Sequence, residues 1–177
     1  MHTAAKAVVR AGSYEEAEQI LRELTNVKVN DDTPRKVTNS LGAMVFKNDL
    51  EQTNLDWELL QNSQIVFPEK KFPHVFYMET DESMLPAKEK DEAGSIWREN
   101  KLGMVFSTNN FTVWADKRGE KQHRIDKREF VNYIGPSEEF KRFMFSPTIR
   151  NGYGNYMETV LIGDGATWIR SMKEELF

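Results

Sequence analysis

Residues 159–170 read TVLIGDGATWIR. Val160, Leu161 and Ile162 run directly into Gly163, Asp164 and Gly165, and helix-forming residues follow at once. The apolar run predicts a buried strand that ends on Asp164. Residues 165–176 predict a helix that turns Trp168, Ile169 and Met172 toward a sheet. A carboxylate at the tip of a core strand is costly unless something uses its charge. The flanking glycines permit an unusual backbone and close approach of a metal or substrate.

Working outward, residues 74–81 (HVFYMETD) form a short apolar run closing on Thr80 and Asp81 and predict a first buried strand. Residues 101–108 (KLGMVFST) and 111–116 (FTVWAD) are the next two strand candidates, with Asn109 and Asn110 supplying the turn of an antiparallel hairpin. Residues 135–145 predict a helix capped by Ser137, with Phe140, Phe143 and Met144 on its inner side, and 149–156 (IRNGYGNY) a glycine-rich loop. The order strand, strand, strand, helix, strand, helix specifies a mixed α/β sheet. Its fourth strand lies parallel to the first after a right-handed crossover.

In that arrangement Asp81 and Asp164 project from the same edge of the sheet, where open α/β sheets bind ligands. Two close carboxylates repel. Mg²⁺ or Mn²⁺ between them reverses that, because such ions take one or two carboxylates plus water and phosphate and can activate a phosphodiester displacement. The alternative is structural: Asp164 caps the following helix and Asp81 sits in a turn with Glu79 and Glu82. GDG is neither a phosphate-binding P-loop nor a dinucleotide fingerprint. His2, His74 and His123 lack metal-ligand spacing.

The first 60 or so residues read as helical. Ser13 and Glu16 form a capping box, and Ala17, Ile20, Leu21 and Leu24 share one face. A second helix begins near Asp32 or Thr33, with Pro34 in its first turn and Val37, Leu41, Met44 and Val45 on its buried side. A helix-turn-helix would present Arg35, Lys36 and Asn39 to a DNA groove, whereas a plain helical hairpin would not. Residues 61–73 hold two prolines and no clean period. The expected division is therefore a helical region (1–60), a linker (61–73) and an α/β domain (74–177).

The chain has 177 residues, no cysteine and a net charge of -4. Disulfides and cysteine-zinc sites are excluded, and a reducing cytoplasm fits. No apolar run approaches the ~18 residues of a membrane span, and the N-terminus lacks a signal-peptide layout. Whole-chain charge does not favour nucleic acid. Residues 116–129, however, concentrate Lys117, Arg118, Lys121, Arg124, Lys127 and Arg128. They read either as a phosphate-contacting patch or as a solvated loop.

The stretches VFYMETDESML, WRENKLGMVFST and VLIGDGATWIRSM together resemble the catalytic core of bacterial insertion-sequence transposases with an RNase H-like, DDE-type domain, of the ISLre and ISKra groups related to mutator transposases. In that family the first catalytic Asp closes strand one, ahead of a W(K/R)E(x)K segment, and the second lies in GDGAxWI. The matching residues are Asp81 and Asp164. Residues 13–42 are similar to the family's helix-turn-helix region.

The resemblance implies metal-dependent DNA cleavage and strand transfer at transposon ends, with Mg²⁺ or Mn²⁺ held by Asp81 and Asp164. DNA would be held by Arg35, Lys36 and the basic patch. Two departures stand out. Glu82 and Ser83 follow the first Asp where the family carries a small residue, and the family's third acid lies on a helix well downstream. Glu174 and Glu175 are too close to Asp164 to be that acid and read as an exposed helix face.

The resemblance therefore implies a C-terminally truncated transposase, inactive as it stands, whose fourth strand is an open edge prone to homo-oligomerisation. A non-catalytic DNA-binding regulator and a small-phosphoester hydrolase are the alternatives.

Overall fold

The computed structural model describes all residues except Met1, Val27, Asp31 and Phe177; the side chains of residues 2–5 and 176 are likewise outside the described set. The chain divides into two compact units, Met1–Glu51 and Gln52–Phe177.

The first unit contains α1 (His2–Arg10), α2 (Tyr14–Thr25) and the larger part of α3 (Asp32–Gln61). The Ser13 hydroxyl accepts the Glu16 N–H at 3.1 Å, and the Glu16 carboxylate accepts the Gly12 N–H at 2.6 Å. This is a capping box displaced by one residue on its return bond. Asn26 closes α2 in the left-handed region (φ 54°) and donates its N–H to the Arg22 carbonyl. α2 packs on α1, burying Ala7, Ala17 and Leu21. Leu24, expected on the same side, is 67% exposed. α3 is one continuous helix of 30 residues, roughly 45 Å long at 1.5 Å per residue. Pro34 is buried in its first turn, but Met44 and Val45, expected to face inward, are exposed.

The second unit begins with the end of α3. There the Trp57 ring meets Phe145 edge-on at 5.6 Å, and Ser146 donates to the buried Asp56 carboxylate at 2.5 Å. Residues 62–71 form no helix or strand. β1 (Phe72–Pro86), β2 (Trp97–Ser107), β5 (Glu129–Ile134) and β6 (Tyr156–Ile162) then build a four-stranded sheet of order β5-β2-β1-β6. β3 (Phe111–Ala115) and β4 (Lys121–Ile125) pair in a separate two-stranded sheet. Within the larger sheet β1–β2 and β2–β5 are antiparallel, and β1–β6 is parallel, as expected for a first and fourth strand.

Two sequence expectations need correction. Residues 111–116 do not continue the large sheet. They fold back on 121–125, Thr108–Asn110 form a 3-10 turn instead of a hairpin turn, and the third antiparallel place goes to β5. The Asp116–Gly119 turn closes locally, with Gly119 at φ 79° and Asp116 accepting the N–H groups of Arg118 and Glu120. Short closures cost little chain entropy. β5 supplies Val131, which buries against β2. Secondly, Asp81 does not end its strand. β1 continues to Pro86, because β2 keeps pairing with it as far as Trp97.

α4 (Ser137–Arg150) and α5 (Thr167–Leu176) cover one face of this sheet. Phe76, Met78, Val105, Phe140, Met144 and Met172 form the centre of the core beneath them. Gly103 lets α4 approach: a Cβ there would lie 2.5 Å from Met144 Sδ. Along β1 the even-numbered residues 76, 78 and 80 are buried, while 79 is half-buried and 81 exposed. This is the two-residue period of a sheet covered on one side.

Candidate functional site

Glu79 pairs with Ile162 at the last rung of the parallel β1–β6 ladder. Asp81 and Asp164 each lie two residues beyond that rung, so they continue abreast along neighbouring chains. Both line one shallow depression on the uncovered face, of about 450 Å³, together with Glu79, Leu102, Phe130 and Ile162. Asp81 and Asp164 therefore line one depression, with Asp81 inside its strand and not at its end.

Each carboxylate is half committed. Asp81 Oδ1 accepts the N–H of Glu82 at 2.8 Å, and Asp164 Oδ1 accepts the N–H of Ala166 at 3.0 Å. The second bond is the helix-entry turn that the structural alternative anticipated; it occupies one oxygen only. The remaining oxygens have no hydrogen-bond partner among the described residues. Two carboxylates with free oxygens suit a hard cation that completes its shell with water or phosphate. They do not amount to a closed cage: among the described residues no group of three or more His, Cys, Asp or Glu is placed to hold a metal ion.

The two glycines of the motif have different reasons. Gly165 adopts φ 90°, which a side chain would strain. Gly163 serves packing rather than ligand approach, since a Cβ there would meet Ile169 Cδ1 at 2.7 Å and Thr80 Oγ1 at 3.2 Å. The strand tip thus presses against the covered face through Gly163 while offering Asp164 to the open one.

The cationic candidates lie elsewhere. Arg35, Lys36 and Asn39 are exposed near the start of α3, and Arg35 is ion-paired with Asp32 one turn earlier. Lys117, Arg118, Lys121 and Arg124 are exposed on the β3–β4 hairpin, beside Val113 and Trp114. Residues 111–128 carry six Lys/Arg against three Asp/Glu, a surplus of three positive charges in a chain of net charge -4. Two of the hairpin's three acids, Asp116 and Asp126, are structural. The hydroxyl of Thr112, then Arg124, hold the Asp126 carboxyl below its usual range, and backbone N–H groups do the same for Asp116. Phe111 at the hairpin base stacks on Phe106, which stacks on Tyr77. This anchors the hairpin to the uncovered face that carries the carboxylates.

Sequence reasoning missed the partners behind the site. Glu82 points to the covered face, where its Oε2 accepts Trp168 Nε1–H at 2.9 Å. Glu175, expected on an exposed helix face, grips the buried Lys141 at 2.9 Å and ties α5 to α4. The spacing of Asp81 to Glu82 signalled opposite faces, but nothing in it named Trp168. Among the described residues no helix is long and apolar enough to cross a membrane.

The chain matches no protein-family model, and no curated protein matches it.

Proposed function

We propose that the second unit is a metal-dependent, DNA-acting domain in which Asp81 and Asp164 jointly hold Mg²⁺ or Mn²⁺. The observation that carries this reading is the placement of both carboxylates, each with a free oxygen, on one depression beside the parallel β1–β6 pair. The strand order third–second–first–fourth, with only the last pair parallel, supports an RNase H-like sheet. With the GDGATWI and WRENK stretches it supports a relationship to DDE-type transposases. A bound divalent ion would supply Lewis acidity toward a phosphodiester. The chain's own part is to hold the ion through Asp81 and Asp164 and to attract the DNA backbone through the hairpin cations.

A second reading is non-catalytic DNA binding. It is favoured by the positive surplus and exposed Trp114 of the hairpin. It is also favoured because, although Glu79 lines the same depression, no three His, Cys, Asp or Glu among the described residues are placed to hold a metal ion. On either reading the DNA ends of a mobile element are the expected partner. Self-association would use the edge strand β6.

Manganese titration followed by electron paramagnetic resonance separates the two. Metal-site function requires saturable Mn²⁺ binding that Asp81→Asn and Asp164→Asn each abolish. DNA binding without metal dependence, weakened and made less salt-sensitive by replacing Lys117, Arg118, Lys121 and Arg124 with Gln, would favour the second reading.

A further inference from the structure

Directly behind the two aspartates, on the helix-covered side, lies a polar cluster built on one buried lysine, with its partners Glu82 and Glu99 partly exposed. Lys101 is 1% exposed. Its Nζ donates to Glu99 Oε2 at 2.6 Å and to the Gly135 carbonyl at 3.0 Å. It also stands 3.7 Å from Glu82 Oε2 and 5.8 Å from the centre of the Trp168 ring. The same Glu82 oxygen accepts the Trp168 indole N–H at 2.9 Å. Glu82 is directly opposite Lys101 in the β1–β2 pair. A buried lysine with this many partners is held in one place, and removing any partner leaves charge poorly compensated.

The position of the cluster carries the inference. Glu82 is the residue after Asp81, and its backbone N–H is the one that Asp81 Oδ1 accepts. Trp168 lies in the first turn of α5, four residues after Asp164, and packs edge-on against Phe140 at 5.5 Å. β1–β6 ladder pairing has stopped by this level, since its last rung is Glu79–Ile162. Backbone hydrogen bonds therefore no longer fix the separation of the two aspartates. Beside the close packing of Gly163 on Thr80, the side-chain path Glu82–Trp168, seated on Lys101, joins their two chain segments.

We propose that Lys101, Glu82 and Trp168 form a positioning clamp that sets the spacing between Asp81 and Asp164. The clamp rests on the metal-site reading for its purpose, but not for its existence. The three are positioning residues: they act from the covered face through the backbone of β1 and the entry of α5.

The test uses the absence of cysteine in the chain. A double variant, Asp81→Cys with Asp164→Cys, is treated with a short bifunctional thiol reagent, and the rate of internal cross-linking reports how steadily the two positions face each other. Trp168→Phe keeps an aromatic ring, smaller than the indole, but removes the N–H. Glu82→Gln keeps the shape but removes the charge. Each should slow cross-linking several-fold. Lys141→Met, which cuts the separate α4–α5 tie to Glu175, should slow it far less even though it loosens the same helix.

In the native-aspartate chain, Trp168→Phe should weaken Mn²⁺ binding on the order of tenfold, the usual size for loss of a partner behind a metal ligand. Unchanged cross-linking in both clamp variants overturns the proposal. So does equal slowing by Lys141→Met, which would mean general loosening. If cross-linking slows as expected but the wild-type chain binds no Mn²⁺, the clamp stands and the metal-site reading falls.

Discussion

Asp81 and Glu82 are neighbours in sequence with opposite situations. Asp81 faces the uncovered side of the sheet, with one backbone hydrogen bond and one free oxygen. Glu82 faces the helices and is engaged by Trp168 and Lys101. The contrast extends to both faces. On the covered side Phe76, Met78, Val105 and Phe140 are close to fully buried; on the other, Leu102, Phe130 and Ile162 remain 43%, 57% and 43% exposed around two carboxylates. One face is built for stability and the other keeps apolar and acidic groups available to solvent. The two-residue period of a strand makes both possible in consecutive positions.

The sharpest way to break this comparison is to exchange equivalent truncations across the sheet. Phe140→Ala on the covered side should cost ~3–5 kcal/mol in chemical denaturation, while Phe130→Ala on the open side should stay within about 0.5 kcal/mol. Similar losses at both would mean that the open face is packed in solution. Next in size, Gly163→Ala should destabilise by ~1–3 kcal/mol, because the added methyl collides with Ile169 on the covered side. A neutral result there would detach the strand tip from the core.

Alkali tests the tie between α4 and α5. Burial alone would lower the pKa of Lys141, but hydrogen bonds to Glu138 and Glu175, and their charges, outweigh it and raise the pKa. A lysine raised on folding contributes stability that is fully present below its unfolded pKa and is lost as pH rises through the folded one. Melting followed from about pH 9 to about pH 12 should fall more steeply in the wild type than in Lys141→Met above the ordinary lysine range. Parallel curves would remove Lys141 from the account. The smallest expected effect is on the open face: Asp81→Asn and Asp164→Asn should each change stability by no more than about 0.5 kcal/mol, measured by the same denaturation. A large loss would show that these carboxylates hold the fold together rather than stand ready for a ligand.

Much of the second unit was legible in the chain. Residues 74–81 and 157–164 carry apolar runs that read as strands, and Phe140, Phe143 and Met144 recur at helical spacing, so β1, β6 and α4 are legible with the correct relative direction; β6, however, is a largely exposed edge strand and not a buried one. β5 was hidden because its six residues follow the basic run and alternate too briefly to stand out. Asn109 and Asn110 carry a stronger generic turn signal than Asp116 to Gly119, which hides the pairing of β3 with β4. Leu24, Met44 and Val45 lie on the apolar stripes of α2 and α3 yet are exposed. A helix's apolar stripe shows which side can be buried, not how far a neighbour extends along it.

By itself the sequence determined the alternation along each strand, the glycine needed at φ 90° in Gly165 and the placement of an acid at the ends of two apolar runs. These are local consequences of backbone geometry and side-chain periodicity. Only the tertiary structure decided which strand stands third in the sheet, that Asp81 and Asp164 share one depression, and that Lys101, Glu82 and Trp168 meet behind them. Those outcomes depend on contacts between residues tens of positions apart, whose energies arise from burial and desolvation after the chain has closed.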